Sequence, residues 1–600
     1  MRVGGECGPV GRLETGACKM IVIRVAQNCN AFCLVWRGLE THAFPETGLE
    51  EFMRSSLCVC AVAFTALSGV ATAASLTPVA NANPKAPGLA APNVLSPELD
   101  QRLVATGSMP LDGSTGSTAY YGYIDSASTL AAVMVPALGS AATPSTPARE
   151  SSKTEPDKNT YLVLDPARGA EQQLGADPAY NYGTHFLYQG HEVGAHGYIT
   201  RINLDADGAH RVTLLADTLS NGELVPNIDG STWYPFSRRL LFTGEEAGAS
   251  GVTEGVVLQA TLNYPSMVSK LDGVIGHAGW EGIQADAAGN LWLVADQGGT
   301  TSTLYPAARQ PNSFVYRFVP RNRSDLSLGG RLQALQVIKL DGSGPIVFHA
   351  GQADADVVSG DVHDLHTYGN RFRTNWVTVH DTARDGFAAF DANAAAKTAG
   401  ATPFKRPENG VFRPSNNNRF GEFFFTETGD TNDNSAVGAD YGKYGGVFRL
   451  AQGGPNANTG VLSLFYLGDR EHSGFDNIAF LSDRQVAVVE DAGDTMHTQR
   501  KALDSGYVLD VLLDYGNAFN KPLRFLAEGR DASATLDAHA SGLNGNGDNE
   551  ITGIHCSDGD PGIEGLLGAR VPRLFEDGWR LFWTQQHGDN NTWEIVSARH

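Results

Sequence analysis

Cysteine is nearly absent from most of this 600-residue sequence. Six of the seven cysteines precede residue 61, and only Cys556 lies beyond it. A disulfide within the later part of the chain is therefore excluded, as is a zinc site built from cysteines. A protein of this size without disulfides must be stabilised by its hydrophobic core or by bound metal.

Basic residues are also scarce. The sequence has 44 Lys and Arg against 66 Asp and Glu, a formal net charge of −22. This balance argues against a nucleic-acid partner, because phosphate backbones require stripes of Lys and Arg. The surplus of carboxylates suits hard cations instead. HExxH motifs, nucleophile elbows and Walker loops are absent, so a zincin-type protease is excluded on pattern.

Long hydrophobic runs are limited to one segment near the start. Residues 53–73 contain Arg54, an apolar stretch and the A-x-A site Ala71-Thr72-Ala73, which predicts a secretory signal peptide. Residues 1–52 are then interpreted as an upstream mis-translation. No later stretch reaches 18 apolar residues, so we expect no membrane span in the mature form, which we predict to be a periplasmic or secreted monomer.

The amino-acid composition and pattern of the chain change after residue 157. Residues 74–157 are rich in Ala, Pro, Ser and Thr and are interpreted as an N-terminal arm and linker, with a strand at 120–124 and a helix near 130–138. Residues 158–600 contain short β-rich runs separated by Gly, Asn and Asp, and a helical period is nearly absent.

The β-rich runs form a degenerate repeat. The clearest copies are 228–246, 280–299, 407–430 and 475–494. Each opens with an acidic residue followed by Gly or Asn, and each has a second strand that ends in carboxylates. Recurring four-stranded units predict an all-β fold, a β-propeller of about six blades. The alternative is a β-sandwich whose hairpins resemble one another by accident.

The recurring carboxylates predict a metal site in the central channel. Carboxylates converging on one channel would repel one another unless cations neutralised them, and oxygen ligands favour Ca²⁺. The candidate metal ligands from strand openings, strand ends and an early His-Glu pair are His191, Glu192, Glu245, Glu246, Glu281, Asp296, Glu408, Glu427, Asp476, Asn477, Glu490 and Asp491, with Asp229 at the matching opening position.

The order of these motifs resembles the PhoX-type alkaline phosphatases. The segments that carry the resemblance are GHE (190–192), 229–246, WEG (280–282), VADQGG (294–299), RPENG (406–410) and 475–491. The resemblance implies a six-bladed propeller with a Ca²⁺/Fe³⁺ cluster that hydrolyses phosphate monoesters. It also implies catalytic roles for Glu281 and Arg406, and small phosphate esters as substrates.

The sequence departs from the family pattern at the iron ligand. Gly244 stands where the family has a cysteine, and Trp280 replaces a histidine before Glu281. We therefore expect several Ca²⁺ ions and leave iron open, with Gly244→Cys predicted to raise iron uptake. Two alternatives stay open: a calcium-dependent propeller lactonase using Glu281, Asn477 and Asp491, and a non-catalytic secreted propeller stabilised by calcium.

Overall fold

Antiparallel β-strands form nearly all of the regular structure, as the short β-rich runs predict. The computed structural model describes residues 76–80, 82–83, 92–107, 109–115, 118–122, 154–192, 197–244, 255–416, 419–529, 550–586 and 590–598. All of them lie in the unit Ala73–His600. The predicted mis-translated segment, signal peptide and helix near 130–138 lie outside the described residues.

The first two blades are separate antiparallel sheets. Blade 1 contains β3 (Glu155–Pro156), β4 (Thr160–Val163), β5 (His185–Glu192), β6 (Tyr198–Asn203) and β7 (Val212–Ala216). Blade 2 contains β8 (Ser231–Tyr234), β9 (Arg239–Phe242), β10 (Leu258–Ala260) and β11 (Val268–Lys270).

Blades 3 and 4 share one nine-stranded sheet, because the outer strand β16 of blade 3 pairs with the outer strand β20 of blade 4. Blade 3 contains β12 (Trp280–Ala285), β13 (Leu291–Ala295), β14 (Val315–Pro320), β15 (Gly330–Val337) and β16 (Phe372–Asp381). Blade 4 contains β17 (Gly410–Phe412), β18 (Glu422–Glu427), β19 (Gly446–Gln452) and β20 (Thr459–Leu467).

The last two blades each take a strand from the N-terminal arm. Blade 5 contains β21 (Phe475–Phe480), β22 (Gln485–Glu490), β23 (Ser505–Asp510), β24 (Leu523–Ala527) and, on its outer edge, β1 (Val94–Leu95). Blade 6 contains β25 (Glu550–Ser557), β26 (Arg580–Gln586), β27 (Thr592–Ser597) and β2 (Leu99–Ala105). Part of the predicted arm is therefore built into the propeller, where it covers strand edges that would otherwise be unpaired.

The innermost strands close into a ring. Each of β4, β8, β12, β17, β21 and β25 contacts the next, and β25 contacts β4 again. The strands of each blade follow one another outward from this ring in antiparallel order. The predicted six-bladed β-propeller is confirmed, and the ring places the start of each inner strand around one axial channel.

The hydrophobic core lies between neighbouring blades, because both faces of each blade are covered. The largest cluster extends from blade 2 through blades 3 and 4 and includes Trp280, Trp292 and Phe425, each with at most 1% of its surface exposed. Trp292 packs edge-on against Phe412 with ring centroids 5.1 Å apart. Such packing fixes the blades and hence the ends of their inner strands.

The helices are short and lie in connections, in line with the weak helical period of the sequence. They are α1 (Ala353–Asp356), α2 (Gly360–Leu365), α3 (Thr382–Asp385), α4 (Ala392–Thr398) and α5 (Gly493–Arg500). Ser359, Asp381 and Asp391 cap α2, α3 and α4 by accepting a backbone N–H in the first turn. None of the helices in the described part of the chain is long and apolar enough to cross a membrane.

Candidate metal centre

The carboxylates that open the sequence repeats lie at the start of the innermost strands. Asp229 stands two residues before β8, and Glu408 two residues before β17. Glu281 and Asp476 are the second residues of β12 and β21. All four are at least 94% buried. Because the inner strands form one ring, these side chains belong to the same end of the axial channel.

Two of these strands bulge where the carboxylate stands. The pairing of β12 with β13 shifts between Trp280 and Ile283, and the pairing of β21 with β22 shifts between Phe475 and Ile478. A bulge takes residues out of the regular ladder and redirects their side chains. The bulges therefore free Glu281 and Asp476 from the strict alternation of a strand.

Gly282 allows blades 3 and 4 to approach closely. Its N–H donates to the Glu408 carbonyl at 2.7 Å. A Cβ at this position would lie 2.8 Å from Asn409 Cα, closer than real side chains allow. The Gly after Glu281 thus lets the two blades bring Glu281 and Glu408 together.

Three carboxylates from blades 3 and 4 form a compact group. One carboxylate oxygen from each of Glu281, Asp296 and Glu408 lies within 4.8 Å of the others. Ligand distances of 2.3–2.6 Å around Ca²⁺ allow its oxygen ligands to be up to about 5 Å apart. The spacing therefore fits oxygens that share one cation.

Arg406 lies beside this group in a constrained conformation. Its Nε donates to Asp296 Oδ2 at 2.7 Å, and its Nη2 lies 3.5 Å from Glu408 Oε1. Its φ of 60° is in the left-handed region, which is unfavourable for a residue with a side chain. The Thr428 N–H donates to the Arg406 carbonyl at 2.9 Å and helps to hold that conformation. Conformational strain at such a position is typical of functional sites.

Burial and mutual repulsion raise the pKa values of the channel carboxylates. Burial raises the pKa of Glu408 well above its usual range, and the Asp296 charge raises it further against the opposing effect of Arg406. Burial likewise raises the pKa of Asp476, with added repulsion from Asp157, Glu408, Asp229 and Asp491. The ionised cluster thus requires positive charge for its stability.

The donor set fits a hard divalent cation. The compact group offers only carboxylate oxygens, and Asp296 Oδ1 is a buried acceptor that has no hydrogen-bond partner among the described residues. A buried oxygen without a donor is costly unless something absent from the polypeptide satisfies it. Oxygen-only ligands favour Ca²⁺ or Mg²⁺ over softer metals.

Asn477 and Asp491 lie on the blade 5 side of the cluster. Asn477 Nδ2 donates to Asp476 Oδ1 at 3.2 Å and to Asp157 Oδ1 at 3.4 Å. The charge of Asp491 contributes to the raised pKa of Asp476. The lactonase alternative needs Glu281, Asn477 and Asp491 on one ion, whereas the carboxylates that join Glu281 are Asp296 and Glu408.

The predicted His-Glu pair lies at the end of β5, the second strand of blade 1. His191 is fully buried, and its Nδ1 and Nε2 lie 3.2 Å and 2.9 Å from the hydroxyls of Thr154 and Thr200. Burial lowers its pKa well below the usual range. With both nitrogens engaged and its ring stacked on Tyr198, His191 serves the packing of blade 1. Glu192 pairs in register with Glu155 and is not part of the compact group.

Two predicted ligands at the ends of second strands are held by protein donors. Glu427 accepts from Lys405 N at 2.5 Å and lies 2.8 Å from His366 Nε2. Glu490 accepts from Ser473 N at 2.8 Å and forms an ion pair of 3.1 Å with Arg500. Both are fully buried and stand outside the compact group. Glu245 and Glu246 lie outside the described residues.

Sequence reasoning missed Asp157 and Lys158, which open the inner strand of blade 1. Both are at least 97% buried, and the charge of Asp229 on the neighbouring blade 2 helps to raise the pKa of Asp157. The clearest copies of the repeat begin at residue 228, so the inner strand β4 of blade 1 was overlooked. The signal was present, since Asp157 precedes the β-rich run 160–165 much as Asp229 precedes β8.

Among the described residues, no thiolate is placed to bind iron at the site. Gly244 packs so tightly that a Cβ would lie 2.8 Å from the carbonyl oxygen of Val256, so a cysteine there would require a backbone shift. Cys556 lies in β25 against apolar neighbours, and burial raises the pKa of its thiol. Neither position supports the iron site of the family pattern.

Fold and site together define a class, a β-propeller with an acidic candidate metal centre on its axis. A model of the family described as alkaline phosphatase PhoX matches residues 290–561. The match confirms the resemblance predicted from the sequence and, with it, the enzyme class, an alkaline phosphatase-like phosphoric monoester hydrolase. The matched range includes Asp296, Arg406, Glu408 and Asp476, and begins just after Glu281.

Comparison with individual proteins gives less information than the family match. No curated protein matches this chain. A similar solved structure is "Pseudomonas fluorescens PhoX in complex with vanadate, a transition state analogue", with 13% sequence identity and a TM-score of 0.48. The similarity covers 87% of this chain and 98% of that chain.

Proposed function

We propose that this chain is an exported, calcium-dependent phosphatase that hydrolyses phosphate monoesters at the acidic group of its propeller channel. The observation that carries the proposal is the convergence of Glu281, Asp296 and Glu408 within 4.8 Å beside Arg406. Asp296 Oδ1, buried without a donor among the described residues, supports a cation at this point. A bound divalent cation supplies Lewis-acid neutralisation of phosphate charge.

Arg406 is placed to bind the phosphate. About a quarter of its side chain is exposed, at 25%, while Asp296 and Glu408 hold its guanidinium in place. Burial alone would lower the pKa of Arg406, but the charges of Asp296 and Glu408 raise it above its ordinary value. The guanidinium therefore stays charged and can donate to phosphate oxygens with a fixed geometry.

Calcium is the proposed metal because the group consists of carboxylates. Iron held by a thiolate is not part of the proposal, because Gly244 leaves no room for a side chain and the Cys556 thiol is buried. Elemental analysis of the purified protein, together with hydrolysis of p-nitrophenyl phosphate, tests both points. We expect Ca²⁺ without stoichiometric iron, and turnover that EGTA abolishes and Ca²⁺ restores.

Glu281→Gln and Glu408→Gln test the assignment of the site. Each removes one negative charge and one strong ligand while keeping the shape, and we expect turnover to fall about a hundredfold, the upper range for damaged metal ligation. Glu223→Gln is the matched control, because Glu223 is 57% exposed in a surface ion pair with Lys270. Full activity in both site variants would contradict the proposal. Hydrolysis of lactones but not phosphate esters would favour the lactonase.

Export is the part of the proposal that rests on sequence alone. The proposed signal peptide at 53–73 ends in an A-x-A site, so the exported protein should begin at or near Ala74. N-terminal sequencing of protein from the periplasm or medium checks this. Recovery of residues 1–52 in that protein would contradict it.

A further inference from the structure

The side chain of Lys158 spans the axial channel from blade 1 to blade 4. It lies two residues before β4 on blade 1 and is 1% exposed. Its carbonyl accepts from Ser231 Oγ on blade 2 at 3.0 Å, which fixes its backbone. Its Nζ donates to Asn409 Oδ1 at 3.3 Å on blade 4, the blade opposite blade 1 in a ring of six. The ammonium group is thus held inside the ring, away from solvent.

Carboxylates from three blades interact with this ammonium group through their charge. Asp157, Asp229 and Asp476 all interact with its charge, and none of them is in the compact group of Glu281, Asp296 and Glu408. The ammonium charge also reaches blade 6, where burial and Lys158 together lower the pKa of His555 to about 3. Burial lowers the pKa of Lys158 to about 8, against the opposing effect of these carboxylates, so the group carries its charge at neutral pH. There it can offset part of the negative charge of the acids, as a bound cation would.

The acidic ring therefore has two unlike halves. On blades 3 and 4, Asp296 Oδ1 has no donor among the described residues, and the nearby Arg406 is partly exposed. On blades 1, 2 and 5, the carboxylates interact with the charge of the enclosed Lys158 side chain. Among the residues that the structure describes, only the first half lacks a buried cation from the polypeptide.

We propose that Lys158 is a built-in cation that takes the place of a metal ion among Asp157, Asp229 and Asp476, and so confines metal binding to the half formed by Glu281, Asp296 and Glu408. Lys158 is in this sense a residue that determines metal stoichiometry. The claim that the half formed by Glu281, Asp296 and Glu408 binds Ca²⁺ rests on the proposed function. The claim that Lys158 takes the place of a metal ion rests on the position of its ammonium group alone.

Lys158→Met tests the proposal by removing the charge while keeping a long apolar side chain. We expect this variant to bind one more Ca²⁺ per chain than the wild type, measured by calorimetric titration and by elemental analysis after gel filtration. The melting temperature should fall more in EGTA than in Ca²⁺, because the extra ion replaces the lost charge. Lys158→Arg retains the charge and should keep the wild-type count.

A second variant keeps the test decisive. If Lys158→Met does not fold, the double variant Asp157→Asn/Lys158→Met removes one charge of each sign, and we expect it to fold with the wild-type Ca²⁺ count. An unchanged Ca²⁺ count in Lys158→Met, or an extra ion in the double variant, would overturn the proposal. A drop in melting temperature that is equal in EGTA and Ca²⁺ would show a packing role only. The difference in count can be measured whether or not the wild type hydrolyses phosphate esters, so failure of the proposed function is seen separately.

Discussion

Asp296 and Glu490 occupy the same place in two blades but have opposite surroundings. Each stands at the end of the second strand of its blade, Asp296 directly after β13 and Glu490 as the last residue of β22. Two backbone N–H groups and Arg500 hold Glu490. One carboxylate oxygen of Asp296 accepts a hydrogen bond from Arg406, and the other has no donor among the described residues. The repeat supplies the carboxylate, and its local donors decide whether it remains available to a metal.

The largest expected effect comes from breaking the internal network at Glu490. Arg500 is 5% exposed and lies 2.7 Å from Asp504 as well as 3.1 Å from Glu490. Arg500→Met leaves both carboxylates buried without their cation, so the free energy of unfolding should fall by about 3–5 kcal/mol. Urea unfolding in Ca²⁺ and in EGTA measures it, and the loss should be the same in both. A loss below that of the surface control Lys270→Met would show that this network is not structural.

Substitutions at Glu427 and Asp296 should change different properties of the protein, and by smaller amounts. Glu427→Gln disturbs the contacts with His366 and the Lys405 N–H, so the free energy of unfolding should fall by about 1–3 kcal/mol with Ca²⁺ affinity unchanged. Asp296→Asn should do the reverse, weakening Ca²⁺ binding with little change in EGTA. Calorimetric titration and unfolding of the two variants check this. Loss of Ca²⁺ binding in Glu427→Gln would place that residue in the metal site after all.

The smallest expected effect is a pH dependence of the stability of the metal-free protein. Burial raises the pKa values of Glu408, Asp157 and Asp476, so the folded protein holds these protons at higher pH than the unfolded chain, whose carboxyl groups titrate near pH 4. The stability that these bound protons contribute is fully present below about pH 4 and is lost as the pH rises through the raised pKa values.

In EGTA, the melting temperature should therefore fall by about one to a few degrees between about pH 5 and pH 8. Ca²⁺ should reduce the fall, because it binds the ionised carboxylates. Glu408→Gln should also reduce it, whereas Glu223→Gln should not. A melting temperature that rises with pH in EGTA would contradict the proposed repulsion in the channel.

The sequence predicted the features that follow the repeat. The propeller and the opening positions of Glu281 and Glu408 could be read because each blade repeats the same order of acid, Gly or Asn, and strand. The roles of His191 and Glu490 could not, because they depend on donors such as Thr200 and Arg500 that the repeat does not specify. Lys158 was missed because it interrupts the pattern between Asp157 and Asn159.

The pairing of β2 with β27 sets the order in which the protein can assemble. Arg102 lies opposite Glu594, so the two strands that complete blade 6 come from regions separated by almost the whole described chain. Contacts between such distant segments form late and slowly, because the chain loses the entropy of a very long loop before it gains them. The acidic cluster draws on blades 1 to 5, and its geometry depends on a closed ring of inner strands. We therefore expect ring closure to precede tight metal binding, so that the ion is captured by a finished propeller.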